Sequence, residues 1–127
     1  MNIKKILLPV DGSENSKRAA QAAADLAKVH NAEVDVVHCY TRLPVGEDKP
    51  EDIVAMYRDY FKSQGTKHTE LVYDGTPGEI IPEHAKQKGI DLIIIGSRGS
   101  TQLAGLFLGS VTTRVLHTAP CPVLVIR

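Results

Sequence analysis

Residues 91–99 read Asp91-Leu92-Ile93-Ile94-Ile95-Gly96-Ser97-Arg98-Gly99, an apolar run that halts at a glycine and turns polar. The run from Ile90 to Ile95 is too short for a helix with one buried face. Its lack of polar alternation predicts a strand covered on both sides, as in a parallel sheet. Parallel strands need crossover connections, usually helices, so the rest of the chain should alternate strand with helix.

It does so in both directions. Ile3 to Val10 is rich in branched apolar residues and ends at Pro9-Val10-Asp11-Gly12-Ser13, a strand stop followed by a helix start. Ala19, Ala20, Ala23, Leu26, Ala27 and His30 then follow at helical spacing, with Ser13 as N-cap and Asn31 as the C-terminal stop. Val34 to Tyr40 reads as the second strand. Beyond a loop marked by Pro44, Gly46 and Pro50, the residues Ile53, Met56, Tyr57, Tyr60 and Phe61 predict one helical face closed by Gly65. Glu70 to Tyr73 predicts the third strand. Thr76-Pro77-Gly78-Glu79 has the form of a capping box, and Pro82, inside the helix that follows, should bend or tighten its first turn. Val111, Val115 and Leu116 suggest a last short helix, and Pro122 to Ile126 a last strand. About five strands alternating with about four helices predict an open three-layer α/β sandwich.

Composition narrows the partners. A length of 127 residues fits one domain, 1–127, able to bury roughly two thirds of its unfolded surface. Lys plus Arg and Asp plus Glu each number 15, leaving no net charge and no basic stripe for nucleic acid. No apolar run approaches a membrane span and no signal-peptide pattern opens the chain, so a cytoplasmic protein is expected. Cys39 and Cys121 are too few for a disulfide framework and are read as reduced, buried thiols. His30, His38, His68, His84 and His117 are dispersed, without zinc-site spacing, and no metal site is assigned to them.

In an open parallel sheet, ligands sit beyond the carboxyl ends of the strands where strand order reverses. Of the loops available there, the one after Ile95 has the most distinctive chemistry. Gly96 and Gly99 allow positive φ and close ligand approach, so that backbone N–H groups can converge on an anion. Gly109-Ser110 opens the last helix, where free N–H groups, a hydroxyl and the positive dipole end favour phosphate. The loop contains neither a G-x-x-x-x-G-K-[ST] motif nor any Lys between Gly96 and Val111.

The spacing Gly96-x2-Gly99-x9-Gly109-Ser110 resembles that of the universal stress protein family, in its ATP-binding subgroup. The resemblance runs through Ile6-Leu7-Leu8-Pro9-Val10-Asp11-Gly12-Ser13, Val36-Val37-His38, Gly75-Thr76-Pro77, the 91–99 stretch and Pro120-Cys121-Pro122-Val123-Leu124-Val125-Ile126. It implies a five-stranded parallel sheet of order 3-2-1-4-5, adenine nucleotide alpha hydrolase-like. It further implies that Pro9, Val10 and Asp11 border adenosine and that the backbone at Cys39 meets adenine. By the same resemblance Ile95, Gly96, Ser97, Arg98 and Gly99 wrap ribose and phosphates, while Gly109, Ser110 and Val111 hold the phosphate tail. From the residues alone, Asp11 serves equally as a helix cap, Ser13 reads as a cap rather than a ligand, and Arg98 reads as a solvated loop residue.

The expected ligand is therefore ATP, or ADP or AMP, with Mg²⁺ or Mn²⁺ arriving on the phosphates near Asp11, Ser13 or Ser110. No catalytic residue is assigned, because the loop lacks a lysine and a second carboxylate for phosphoryl transfer. The first reading is a nucleotide-dependent regulatory module acting in stress response on an unidentified protein partner. A slow ATPase or phosphotransferase is the second, and a dimeric interaction protein without nucleotide the third. Val123 to Ile126, apolar and at the expected sheet edge, predicts a homodimer.

Overall fold

The computed structural model describes residues 1–41, 49–99 and 108–127. The loop markers Pro44 and Gly46 and the middle of the glycine-rich stretch lie outside those residues. The strands are β1 (Lys5–Pro9), β2 (Glu33–Tyr40), β3 (His68–Asp74), β4 (Leu92–Gly96) and β5 (Val123–Ile126). The helices are α1 (Glu14–His30), α2 (Pro50–Ala55), α3 (Arg58–Ser63), α4 (Pro77–Gln87) and α5 (Ser110–Thr118). All strand pairs are parallel and the sheet order is β3-β2-β1-β4-β5, as expected.

β4 is buried at every position, which explains its unbroken apolar sequence. One face of the sheet packs with α1, α2 and α3 around Ile6, Leu8, Val34, Val36, Phe61 and Ile94. The other packs with α4 and α5 around Leu7, Val37, Ile81, Ile93 and Val115. α1 lies on the sheet through Ala19, Ala20, Ala23, Ala24 and Ala27, small side chains that admit a close approach. Both of its ends follow the sequence: Ser13 Oγ accepts the Ser16 N–H at 3.2 Å, and Asn31 closes the helix in the left-handed conformation at φ 52°.

Two local expectations are corrected. The single helix predicted from Ile53 to Phe61 is two helices, α2 and α3, broken at Met56-Tyr57. Met56 is exposed, whereas Tyr57 is buried with its hydroxyl 2.7 Å from Ser16 Oγ and accepting the Gly12 N–H at 3.1 Å. These bonds to the β1–α1 loop hold Tyr57 at the break. At α4, the Thr76 hydroxyl makes no capping bond; the Thr76 carbonyl instead accepts from Glu79 N–H (3.1 Å) and Ile80 N–H (3.0 Å). The three-residue Glu79 bond tightens the first turn, and α4 then continues through Pro82.

Candidate functional site

β1 and β4 are adjacent, and their following helices, α1 and α5, cover opposite faces of the sheet. In such a sheet, the carboxyl ends of these two strands are where a crevice for ligand is expected. Its first wall is the loop after β1. Asp11 Oδ1 accepts the Ser13 N–H at 2.9 Å, and the Asp11 N–H donates to Ser16 Oγ at 3.2 Å. Gly12 turns the chain at φ 82°. Burial pushes the Tyr57 phenol above its ordinary value, so the hydroxyl stays protonated while it braces this loop.

The second wall is the segment after β4. The glycines there do not take the expected positive φ; among the described residues the positive-φ glycines are Gly12, Gly65, Gly75 and Gly89. Close approach is what requires them. A Cβ on Gly96 would lie 3.1 Å from both the backbone carbon and the Cβ of Asn15, and a Cβ on Gly99 would lie 2.6 Å from Asp11 Oδ2. The two walls thus meet, with α1 lying against the end of β4 and Asp11 against Gly99.

Ser97, 4% exposed, joins four elements. Its N–H donates to Ile126 O (2.7 Å), its carbonyl accepts from Gly109 N–H (2.7 Å), and its hydroxyl donates to Asn15 Oδ1 (2.9 Å). The Arg98 N–H donates to the same Asn15 oxygen at 2.9 Å, while Arg98 itself is exposed. Gly109 caps α5 in an extended conformation, and Thr112 Oγ1 donates to Gly96 O at 2.7 Å. The first intrahelical bond of α5 runs from Thr113 N–H to Gly109 O. The N–H groups of Ser110, Val111 and Thr112 therefore sit at the open end. Gly109 opens the helix as expected, but its own N–H is engaged by Ser97 rather than free.

The remaining site residues form an apolar flank. Cys39, Ile95 and Val111 all pack on the core cluster of the α4–α5 face. Burial pushes the Cys39 thiol up to about 11, leaving it neutral at physiological pH. Pro9 ends β1, and Val10 is fixed by its N–H donating to Val37 O (2.8 Å) and by His38 Nδ1 at 2.8 Å from its carbonyl. All the residues singled out in the sequence thus lie at the carboxyl ends of β1, β2 and β4 or at the start of α1 or α5.

Sequence reasoning missed Asn15, Ser16, Tyr57 and Thr112, whose bonds span up to 83 residues of chain. It also missed a set of hydrogen bonds around buried His84, whose Nδ1 lies 2.8 Å from Tyr73 Oη and whose Nε2 lies 2.8 Å from Asp35 Oδ2. Helical periodicity marks His84 as inward-facing beside Ile81 and Ala85, but not its partners. Among the described residues, no group of three or more His, Cys, Asp or Glu is placed to hold a metal ion. No described helix is long and apolar enough to cross a membrane. A cavity of about 520 Å³ lies at the opposite ends of the strands, between Lys4, Lys5, Lys28 and Lys67. Two of these lysines donate to carbonyls at helix C-termini, Lys4 Nζ to His30 O (3.0 Å) and Lys5 Nζ to Lys88 O (2.8 Å).

The fold and these contacts together define a class, a doubly wound parallel α/β protein in which the segment after β4, Gly96 to Gly99, meets the start of the first helix. The chain belongs to the universal stress protein family, whose model matches residues 2–127. It is 36% identical to a universal stress protein of Thermus aquaticus, encoded beside a sulfhydrylase, with 98% of each chain covered. To the universal stress protein YxiE of Bacillus subtilis it is 34% identical, covering 97% of this chain and 98% of that one. A solved universal stress protein in complex with cAMP is 26% identical and superposes with a TM-score of 0.81, covering 100% of this chain and 98% of the other.

Proposed function

We propose that this protein binds an adenine nucleotide, ATP foremost, in the β1–β4 crevice, and that occupancy biases its shape or assembly to regulate a protein partner in stress response in the cytoplasm. The observation that carries this reading is the bonding of Ser97 to both Asn15 and Gly109, which turns the starts of α1 and α5 toward one crevice. Two helix N-termini facing one space favour an anionic ligand. The related protein solved with cAMP supports an adenine ligand.

In this reading Pro9, Val10 and Asp11 border adenosine, and the base lies at the Cys39 backbone beside Ile95 and Val111. Gly96, Ser97, Arg98 and Gly99 wrap ribose and phosphates. Ser110 and Val111 donate N–H groups to the phosphate tail, Ser110 adds its hydroxyl, and Gly109 lets the phosphates approach. Mg²⁺ or Mn²⁺ arrives with the nucleotide near Asp11, Ser13 or Ser110, since Mg²⁺ takes most of its ligands from phosphate and water. Hydrolysis is slow, because the described part of the loop offers no lysine and no base to orient water.

A homodimer through β5 completes the proposal. β5 is an edge strand with Leu124 exposed and Val123, Val125 and Ile126 half-buried, an apolar edge suited to pairing across a two-fold axis. Light scattering should give a dimer at micromolar concentration that Leu124→Lys dissociates; a wild-type monomer refutes it. For the ligand, mass spectrometry of protein denatured straight after gentle purification should release an adenine nucleotide. Calorimetry should show ATP binding that weakens in chelator. No binding of ATP, ADP or AMP by folded protein would overturn the reading in favour of a nucleotide-free interaction protein.

A further inference from the structure

Asn15 is 6% exposed in the first turn of α1, and its carboxamide is half satisfied. Oδ1 accepts from both Ser97 Oγ–H and Arg98 N–H, each at 2.9 Å. The backbone N–H of Arg98 can only donate, so the atom facing it is the oxygen and the amide orientation is fixed. Nδ2, sealed from solvent, has no hydrogen-bond partner. Buried polar atoms are nearly always paired, and an unpaired buried amide donor disfavours the state in which it is found.

We propose that Asn15 is a ligand-binding residue whose side-chain NH₂ donates to an acceptor oxygen in the sugar–phosphate part of the nucleotide. The proposal rests on the nucleotide reading above. Three observations converge on it. The donor belongs to the side chain that already clamps the start of the β4–α5 segment. It lies in the first turn of a seventeen-residue helix, where the backbone dipole favours an electron-rich group. The neighbouring Asp11–Gly99 contact admits no side chain on Gly99. A small parting of residues 97–99 from α1 then exposes the amide to the ligand, and the new bond replaces a missing one. Asn15 thereby senses occupancy: one end of its carboxamide holds the loop and the other reads what the loop encloses.

Amide NMR of the full chain tests this directly. The side-chain NH₂ pair of Asn15 is identified by its loss in Asn15→Asp, or by sequential assignment of the wild type should that variant not fold. Saturating ATP should move the pair downfield and slow its hydrogen exchange roughly ten- to a hundredfold, as expected for a new bond to a charged acceptor. Adenosine distinguishes the two halves of the ligand: a shift with adenosine assigns a ribose oxygen, a shift with ATP alone a phosphoryl oxygen, and either supports the proposal. Movement of the Gly99 and Ser110 backbone amides with the Asn15 pair unmoved overturns this assignment alone. A long-lived water on the pair that ATP does not displace also overturns it. A spectrum in which ATP moves no resonance overturns the nucleotide reading, and this assignment with it.

Discussion

Replacing Gly96 by alanine isolates the contact between α1 and the end of β4. The added Cβ would meet Asn15 C and Asn15 Cβ at 3.1 Å and Asn15 O at 3.2 Å. Favourable carbon–carbon separations are ~3.5–4.0 Å, so the first turn of α1 must retreat by several tenths of an ångström. Overpacking of this kind costs ~1–3 kcal/mol. Because φ at Gly96 is not positive, alanine is allowed on the backbone and recovers ~0.4–1 kcal/mol by restricting the unfolded chain. The net loss lies between ~0 and ~2.6 kcal/mol, centred on ~1.3 kcal/mol, a fall in Tm of roughly 5 °C, read by circular dichroism in the absence of ligand. The retreat also strains the Ser97 and Arg98 bonds to Asn15, so nucleotide affinity should fall in the same variant. A Gly96→Ala protein more stable than wild type, or one as stable with nucleotide affinity unchanged, would show that α1 does not need the missing side chain, and the close-approach argument would be wrong.

Tyr57→Phe should destabilise the protein by ~1–3 kcal/mol in urea unfolding, because the half-buried Gly12 N–H and the buried Ser16 hydroxyl lose their shared partner; an unchanged midpoint refutes the brace assigned to it. Gly109→Asp should leave the fold intact, since its extended backbone (φ −70°, ψ 160°) suits an N-cap aspartate. The new carboxylate would take the α5 N–H groups and repel phosphate, lowering ATP affinity at least ~100-fold by calorimetry, whereas Ser110→Ala should lose only ~10-fold. Cys39, held neutral by burial, should react with iodoacetamide more slowly than a free thiol at pH 7. Since its folded value near 11 lies above the unfolded one, its stabilising contribution is complete below ~8.5 and fades as pH rises toward 11; Cys39→Ala should flatten that decline.

The chain's local chemistry determined the order of its elements. An unbroken apolar run such as Leu92–Ile95 is stable as a short strand only if both faces are covered, and caps such as Ser13 and Asn31 act within four residues, so each is legible from neighbours alone. The glycines after Ile95 lie at the carboxyl end of β4, a position the end of the apolar run also marks. Tertiary structure decided why those glycines are there: Gly96 faces Asn15 and Gly99 faces Asp11, contacts across more than eighty residues that no periodicity encodes. It likewise broke the predicted helix at Tyr57, where hydrogen bonds to Gly12 and Ser16 outweigh the helical pattern. The same holds for the inward turn of Asn15 toward Ser97 and for the pairing of His84 with Asp35 and Tyr73. Sequence sets which residues are apolar and where the backbone can turn. The partner of a buried polar group is fixed only when the packed sheet brings distant segments within 3 Å, because a hydrogen bond depends on distance and direction in space and not on separation along the chain.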